Sequence, residues 1–99
     1  MIWQKEVTLS EHSRGIHLIN DLVENELPQL PNTGILQVFI KHSSAGLTLN
    51  ENADPAVRGD MNEYFNRKVP EREEWYRHTT EGDDDMPAHI KSTLVGSSV

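Results

Sequence analysis

The chain has no cysteine, so disulfides and thiolate metal sites are both excluded. Any transition-metal site must be built from imidazole and carboxylate. Positive charge is scarce: 9 Lys and Arg stand against 16 Asp and Glu, a formal net charge of -7 at pH 7. Nucleic acid is a poor partner for such a surface, because phosphate binding is dominated by basic side chains. Metal ions suit it better. No apolar run approaches the length of a signal peptide or membrane span, which makes a soluble protein of the cytoplasm, with no membrane partner, the default reading. The hydrophobic fraction of 35% and mean hydropathy of -0.61 are low for a self-sufficient globule. The apolar residues are nevertheless bunched into periodic runs, which argues against disorder. At 99 residues the chain reads as a single domain, 1–99, with a modest core that oligomerisation would support.

What is present is concentrated in two polar stretches. HSSAGLTLNENADPAVRGD, from His42 to Asp60, places one imidazole, two serine hydroxyls, two amides and three carboxylates between two runs that read as core strand and core helix. HTTEGDDDMPAHIKS, from His78 to Ser92, adds two histidines, four acids and a proline at a helix start. If the two meet in space, they make a site.

Along the chain, Ile2 to Ser10 alternates with Trp3, Lys5, Val7 and Leu9 on one face, the pattern of a half-buried strand. After the turn ending at Gly15, GIHLI returns as a second strand, predicting an antiparallel hairpin. Asn20 is an expected N-cap for a short helix carrying Leu22, Val23 and Leu27, stopped by Pro28. ILQVFIK, from Ile35 to Lys41, is the best candidate for a central strand, with Leu36, Val38, Ile40 and His42 on one face. Leu47 to Glu51 is expected beside it, with Glu51 on the leucine face. Asp54-Pro55 is a strong helix start, and Val57, Met61, Tyr64 and Phe65 recur at helical spacing. Pro70 closes that helix, EREEWY reads as loop with Trp75 or Tyr76 tucked in, and Pro87 opens a last helix. The order β-β-α-β-β-α-α predicts an α+β fold, with helices on one face of mainly antiparallel sheet. A final strand is expected after Gly96.

The candidate site residues follow from these placements. His42, at a strand end, His89, on the first turn of the last helix, and His78, in a loop, are the candidate metal ligands, each with the alternative of a purely structural role. A carboxylate on an apolar face needs a cation, proton or donor, which ranks Glu51 above Asp54 and Asp60 among candidate catalytic acids. Asp54 also reads as a helix cap. Ser43, Ser44, Asn50, Asn52, Glu81, Gly82, Asp83 and Asp84 are the candidate substrate-binding groups, with Ser43, Ser44 and the Pro87 helix N-terminus suited to phosphate oxygens. Asp83, Asp84 and Asp85 also complement a helix N-terminus.

HSSAGLTLNENADPAVRGD and EGDDDMPAHIKS, with SRGIHLI as a weaker third match, resemble the YjbQ family, described as secondary thiamine-phosphate synthases. The resemblance implies an α+β fold with layered sheets, assembly into homotrimers and a metal site. It also implies a transferase activity joining a pyrimidine diphosphate to a thiazole phosphate. Family members continue past Val99 through further strands, so the chain is expected to lack the family's C-terminal strands. The implied cofactor is a divalent ion, zinc, manganese or magnesium, and the implied partner is a small phosphorylated substrate. A non-catalytic metal-binding or oligomeric scaffold is the alternative reading.

Overall fold

A helix starts where free backbone amides find an acceptor and a proline costs nothing, and Asp54-Pro55 meets both conditions. In the computed structural model, which describes residues 2–99, the Asp54 carboxylate accepts the Ala56 N–H at 2.9 Å. Pro55 takes the first helical position, where its missing N–H is not needed. The helix so started, α2, runs Pro55–Lys68. The Val69 N–H closes its last turn on the Phe65 carbonyl at 2.8 Å. Before it, α1 is a short helix, Asn20–Glu24. After it, α3 runs Asp85–Val95. Pro87 sits in the first turn of α3, where the helix can absorb it. Gly96, at φ 102, turns the chain out of α3 in the left-handed region that glycine tolerates.

The contacts divide the chain into two units, Met1–Ile35 and Leu36–Val99. The first carries α1 and a Lys5–Glu26 ion pair at 2.5 Å. Asn20 is the first helical residue, and the residue in the cap position, Ile19, supplies no side-chain bond. The rings of His12 and His17 meet edge-to-face at 4.9 Å. The second unit carries α2 and α3, tied by a Lys91 Nζ to Asn66 Oδ1 hydrogen bond of 2.7 Å.

The expected sheet is not there. Among the described residues no strand forms, and the only β-pairing is an isolated antiparallel bridge, Phe39 to Ser98. Ile2 to Ser10, GIHLI, Ile35 to Lys41 and Leu47 to Glu51 are not strands, so the α+β sheet with order β-β-α-β-β-α-α is overturned. The physical reason is that alternation specifies which face of a strand would be buried, whereas the strand itself exists only if a neighbour takes its backbone groups. The segment after Ile35 finds such a neighbour over three residues. Val38 and Val99 exchange N–H···O bonds at 2.8 and 3.0 Å, and the Ile40 N–H reaches the Ser97 carbonyl at 2.9 Å. The residues after Gly96 thus pair as an incipient strand would, at a length too short for a ladder.

The apolar faces are correspondingly open. Ile35 is 100% exposed and Leu49 81%, while Val69 and Pro87 are the buried residues among those described. On α2, Val57, Met61 and Phe65 are half-buried, as their spacing implies, but Tyr64 faces outward with Lys68 over its ring. In the 69–84 connection Tyr76 is half-buried and donates its hydroxyl to the Pro70 carbonyl at 2.8 Å. Burial, reinforced by the Glu73 charge, pushes this phenol up from its ordinary value. Among the described residues no helix is long and apolar enough to cross a membrane.

Candidate metal centre

Residues four apart on a helix share a face, so Asp85 and His89, at the start of α3, project to the same side. His78 reaches them from the preceding connection. Its Nε2 lies 2.6 Å from Asp85 Oδ2, and His89 Nε2 lies 3.1 Å from the same oxygen. The two rings meet edge-to-face at 5.3 Å. One ligand atom from each of His78, Asp85 and His89 falls within 4.8 Å of the others, and all three side chains are partly exposed. A tetrahedral ion with bonds of about 2.0–2.1 Å holds its ligands roughly 3.3 Å apart. The His89–Asp85 separation is close to that spacing. The shorter His78 contact is a direct hydrogen bond onto the carboxylate, and it is the foremost influence holding the Asp85 carboxyl below its usual range; desolvation opposes it and the His89 charge assists it.

The partner of His89 on its other side fixes its chemistry. His89 Nδ1 is 2.8 Å from the Ser43 carbonyl, an oxygen that only accepts, so Nδ1 carries the proton. In the imidazolium Nε2–H donates to Asp85 as well, and in the neutral ring Nε2 presents a bare lone pair to it. A lone pair facing a carboxylate oxygen is stable only with a proton or a metal ion between them. This is the arrangement in which histidine ligands are commonly held, with the far nitrogen donating to a carbonyl. The Ser92 hydroxyl donates to the same Ser43 carbonyl at 2.8 Å, so α3 is pinned to the 42–46 loop by two bonds one turn apart.

The other candidates scatter. His42 is exposed and outside the three-residue cluster; its Nδ1 accepts the Ser44 N–H at 3.0 Å, with Ser44 Oγ at 3.1 Å. Glu51 is exposed. The apolar face that ranked it first has Leu49 in solvent, so the desolvation expected of its carboxylate does not arise. Its N–H is taken by Asn50 Oδ1 at 2.7 Å. Asn52 Oδ1 accepts Arg58 Nη1 at 2.8 Å, Asp54 caps α2, and Asp60 lies exposed on that helix. In the second motif Glu81 Oε2 approaches His78 Nε2 at 3.6 Å, and Asp83 pairs with Arg72 at 3.2 Å. Gly82, at φ 112, makes the turn whose carbonyl accepts the Asp85 N–H at 3.3 Å. Asp84 occupies the α3 cap position without a side-chain bond. Asp85, not Asp83 or Asp84, is the carboxylate of the cluster. The signal for it was its spacing of four from His89. A cleft of about 300 Å³ opens beside His78, lined also by Arg72, Glu73, Tyr76 and Met86.

Residues 5–99 match the YjbQ family, described as UPF0047 protein YjbQ-like. The chain is 50% identical over 101 residues to UPF0047 protein YjbQ of Escherichia coli O157:H7, covering 100% of this chain and 72% of that protein. To UPF0047 protein sll1880 of Synechocystis it is 40% identical over 96 residues, covering 96% and 65%. Among solved structures, it resembles the conserved hypothetical protein TT1486 from Thermus thermophilus, with a TM-score of 0.72 and 34% identity. That match covers 86% of this chain, which spans 64% of the Thermus chain. None of these names carries an activity, so the expected thiamine-phosphate synthase function is withdrawn: the relatives are named only as members of an uncharacterised family. By profile and by identity along its whole length, the chain belongs to the YjbQ (UPF0047) family.

Proposed function

We propose that the chain is a cytoplasmic metal-binding protein that holds one divalent transition-metal ion through His78 Nε2, Asp85 and His89 Nε2, the ion displacing the proton that His78 donates to Asp85. The observation that carries this reading is the convergence of one ligand atom each from His78, Asp85 and His89 within 4.8 Å, with His89 Nδ1 committed to the Ser43 carbonyl at 2.8 Å, so that the neutral ring aims its Nε2 lone pair at a carboxylate 3.1 Å away. Two imidazoles and one carboxylate suit zinc, manganese or iron, and leave coordination positions open to water or a small ligand. Magnesium, which prefers oxygen ligands, fits this donor set poorly. The cleft beside His78 gives such a ligand room.

Calorimetric titration with zinc and manganese, on wild type and on His78→Ala, Asp85→Ala and His89→Ala, tests the reading. Tight binding by the wild type and loss in each variant supports it; equal binding by all four proteins overturns it. A second reading, self-association as a trimer, is favoured by the exposed apolar side chains of the second unit, where Phe39, Leu49 and Leu94 are each more than half exposed. Light scattering that reports a monomer at high micromolar concentration would dismiss it.

A further inference from the structure

The Ser43 carbonyl receives two donors from one face of α3. His89 and Ser92 stand three residues apart, so their side chains leave the helix on the same side, and both end on this oxygen, His89 Nδ1 at 2.8 Å and Ser92 Oγ at 2.8 Å. A carbonyl oxygen has two lone pairs, and the two donors fill both. The Ser92 hydroxyl has a single proton and a second acceptor within reach, the His89 carbonyl at 2.9 Å. That carbonyl is already served by the Thr93 hydroxyl at 2.9 Å, in the local back-bonding that serine and threonine make inside helices. The Ser92 proton is therefore directed at Ser43.

We propose that Ser92 is a positioning residue of the metal centre: its hydroxyl holds the Ser43 carbonyl against His89 Nδ1, and through that carbonyl it sets the tautomer and the direction of the imidazole that offers Nε2 beside Asp85. The proposal rests on the metal-binding reading for the ion and on the two Ser43 bonds for the positioning. Ser43 is exposed and outside any helix, so its carbonyl has water as an alternative partner. Held by His89 alone, it could turn away at the loss of one hydrogen bond; held by both donors, it turns only by giving up two. Both donors belong to one helix, which fixes their spacing before the loop closes on them. The Leu47 N–H reaches the Gly96 carbonyl at 3.0 Å and ties the far end of the same loop to the end of α3, leaving Ser43 as the point where the loop meets the turn that carries His89. In a metal-ligating histidine the partner of the far nitrogen fixes the ring and raises its basicity. Ser92 acts one bond further out, on that partner.

Two measurements on the full chain test this, in wild type, Ser92→Ala, Ser92→Thr and Thr93→Ala. Long-range ¹H–¹⁵N correlation on metal-free protein, with its rings neutral, reads the His89 tautomer, and calorimetric titration with zinc reads the affinity. The wild type should show the Nδ1–H ring at His89. Ser92→Ala should show a mixture of both tautomers and bind zinc about 10-fold more weakly, the lower end of what loss of an outer partner costs. Ser92→Thr, which keeps a hydroxyl, should recover tautomer and affinity. Thr93→Ala removes a hydroxyl bond to the His89 carbonyl that does not involve the loop, and should leave both readouts at wild-type values; equal losses in Thr93→Ala and Ser92→Ala would make Ser92 a helix-stabilising residue and overturn the proposal. In a His89→Ala background Ser92→Ala should cost no further affinity, because the ring it acts through is gone, and a full second loss there also overturns the proposal. A wild-type tautomer in Ser92→Ala overturns it and leaves the metal reading standing. A wild type that binds no zinc defeats the proposed function and, with it, the role of Ser92 in a metal centre, while the tautomer comparison still decides whether Ser92 sets the ring.

Discussion

His89→Ala removes one of the three proposed ligands and leaves the Ser43 carbonyl without its imidazole donor. Four-ligand structural zinc sites bind with about 10–16 kcal/mol, so one ligand contributes roughly 3 kcal/mol. At about 1.4 kcal/mol per decade this is a ~100-fold rise in Kd. The consequence for stability follows by mass action. With free zinc at ~100 times the wild-type Kd, binding stabilises the wild type by about 2.7 kcal/mol; the variant at the same zinc sits near half-saturation and gains only about 0.4 kcal/mol. In a domain of this size ~1 kcal/mol moves Tm by about 4–8 °C. Zinc should therefore raise Tm by about 10–20 °C in the wild type and by about 2–3 °C in His89→Ala, read by circular dichroism at fixed free zinc. His42→Ala should respond as the wild type does. If His89→Ala gains as much from zinc as the wild type, the ion does not sit on this ring and its Nε2 lone pair is not a ligand.

Asp54→Ala should cost about 1 kcal/mol through loss of the α2 cap, measured by urea denaturation, with zinc affinity unchanged. A Cβ on Gly46 would lie 2.8 Å from the Gly96 carbonyl and 3.1 Å from Val95 Cβ; Gly46→Ala should therefore destabilise by about 1–3 kcal/mol and weaken zinc binding, because the end of α3 must shift from the 42–46 loop that orients His89. The Tyr76 phenol, raised by burial and by Glu73, should titrate above 10.0 in folded Tyr64→Phe protein when followed by ultraviolet difference absorbance. Its contribution to stability is present below the unfolded value and lost as pH rises through the folded one. A midpoint that stays the same in folded protein and in urea would contradict the burial of that ring.

The helices were legible because their determinants are local. Asp54, Pro55 and the 57, 61, 65 spacing lie within a few turns of one another, and no distant residue has to be known to read them. The extended runs were legible only as patterns. Ile35 to Lys41 carries the alternation of a strand, but its backbone pairing depends on residues about sixty positions away, and only 97–99 answer it. The expected burial of Glu51 on an apolar face fails for the same reason. Its ranking assumed that Leu47 and Leu49 share a buried face, and without a sheet to bury that face the carboxylate faces water.

The site shows a finer version of the same division. Both motifs were visible as concentrations of polar chemistry, and His78 and His89 were legible as candidates from residue type alone. The choice among Asp83, Asp84 and Asp85 was not, because it turns on where α3 begins. Once the helix starts at Asp85, that residue stands one turn before His89 on the same face. Asp83 falls outside the helix and pairs with Arg72. The difference between His42 and His89 lies further still from the sequence. Both are histidines in specific motifs, and what separates them is whether the loop offers Nδ1 a carbonyl or an amide. Ser43 and Ser44 are identical as residues, and their roles diverge through the backbone, the Ser43 carbonyl toward His89 and the Ser44 N–H toward His42. Replacing either serine side chain by alanine leaves those main-chain groups in place, so the backbone of the loop, more than its hydroxyls, decides whether Nδ1 of each imidazole donates or accepts.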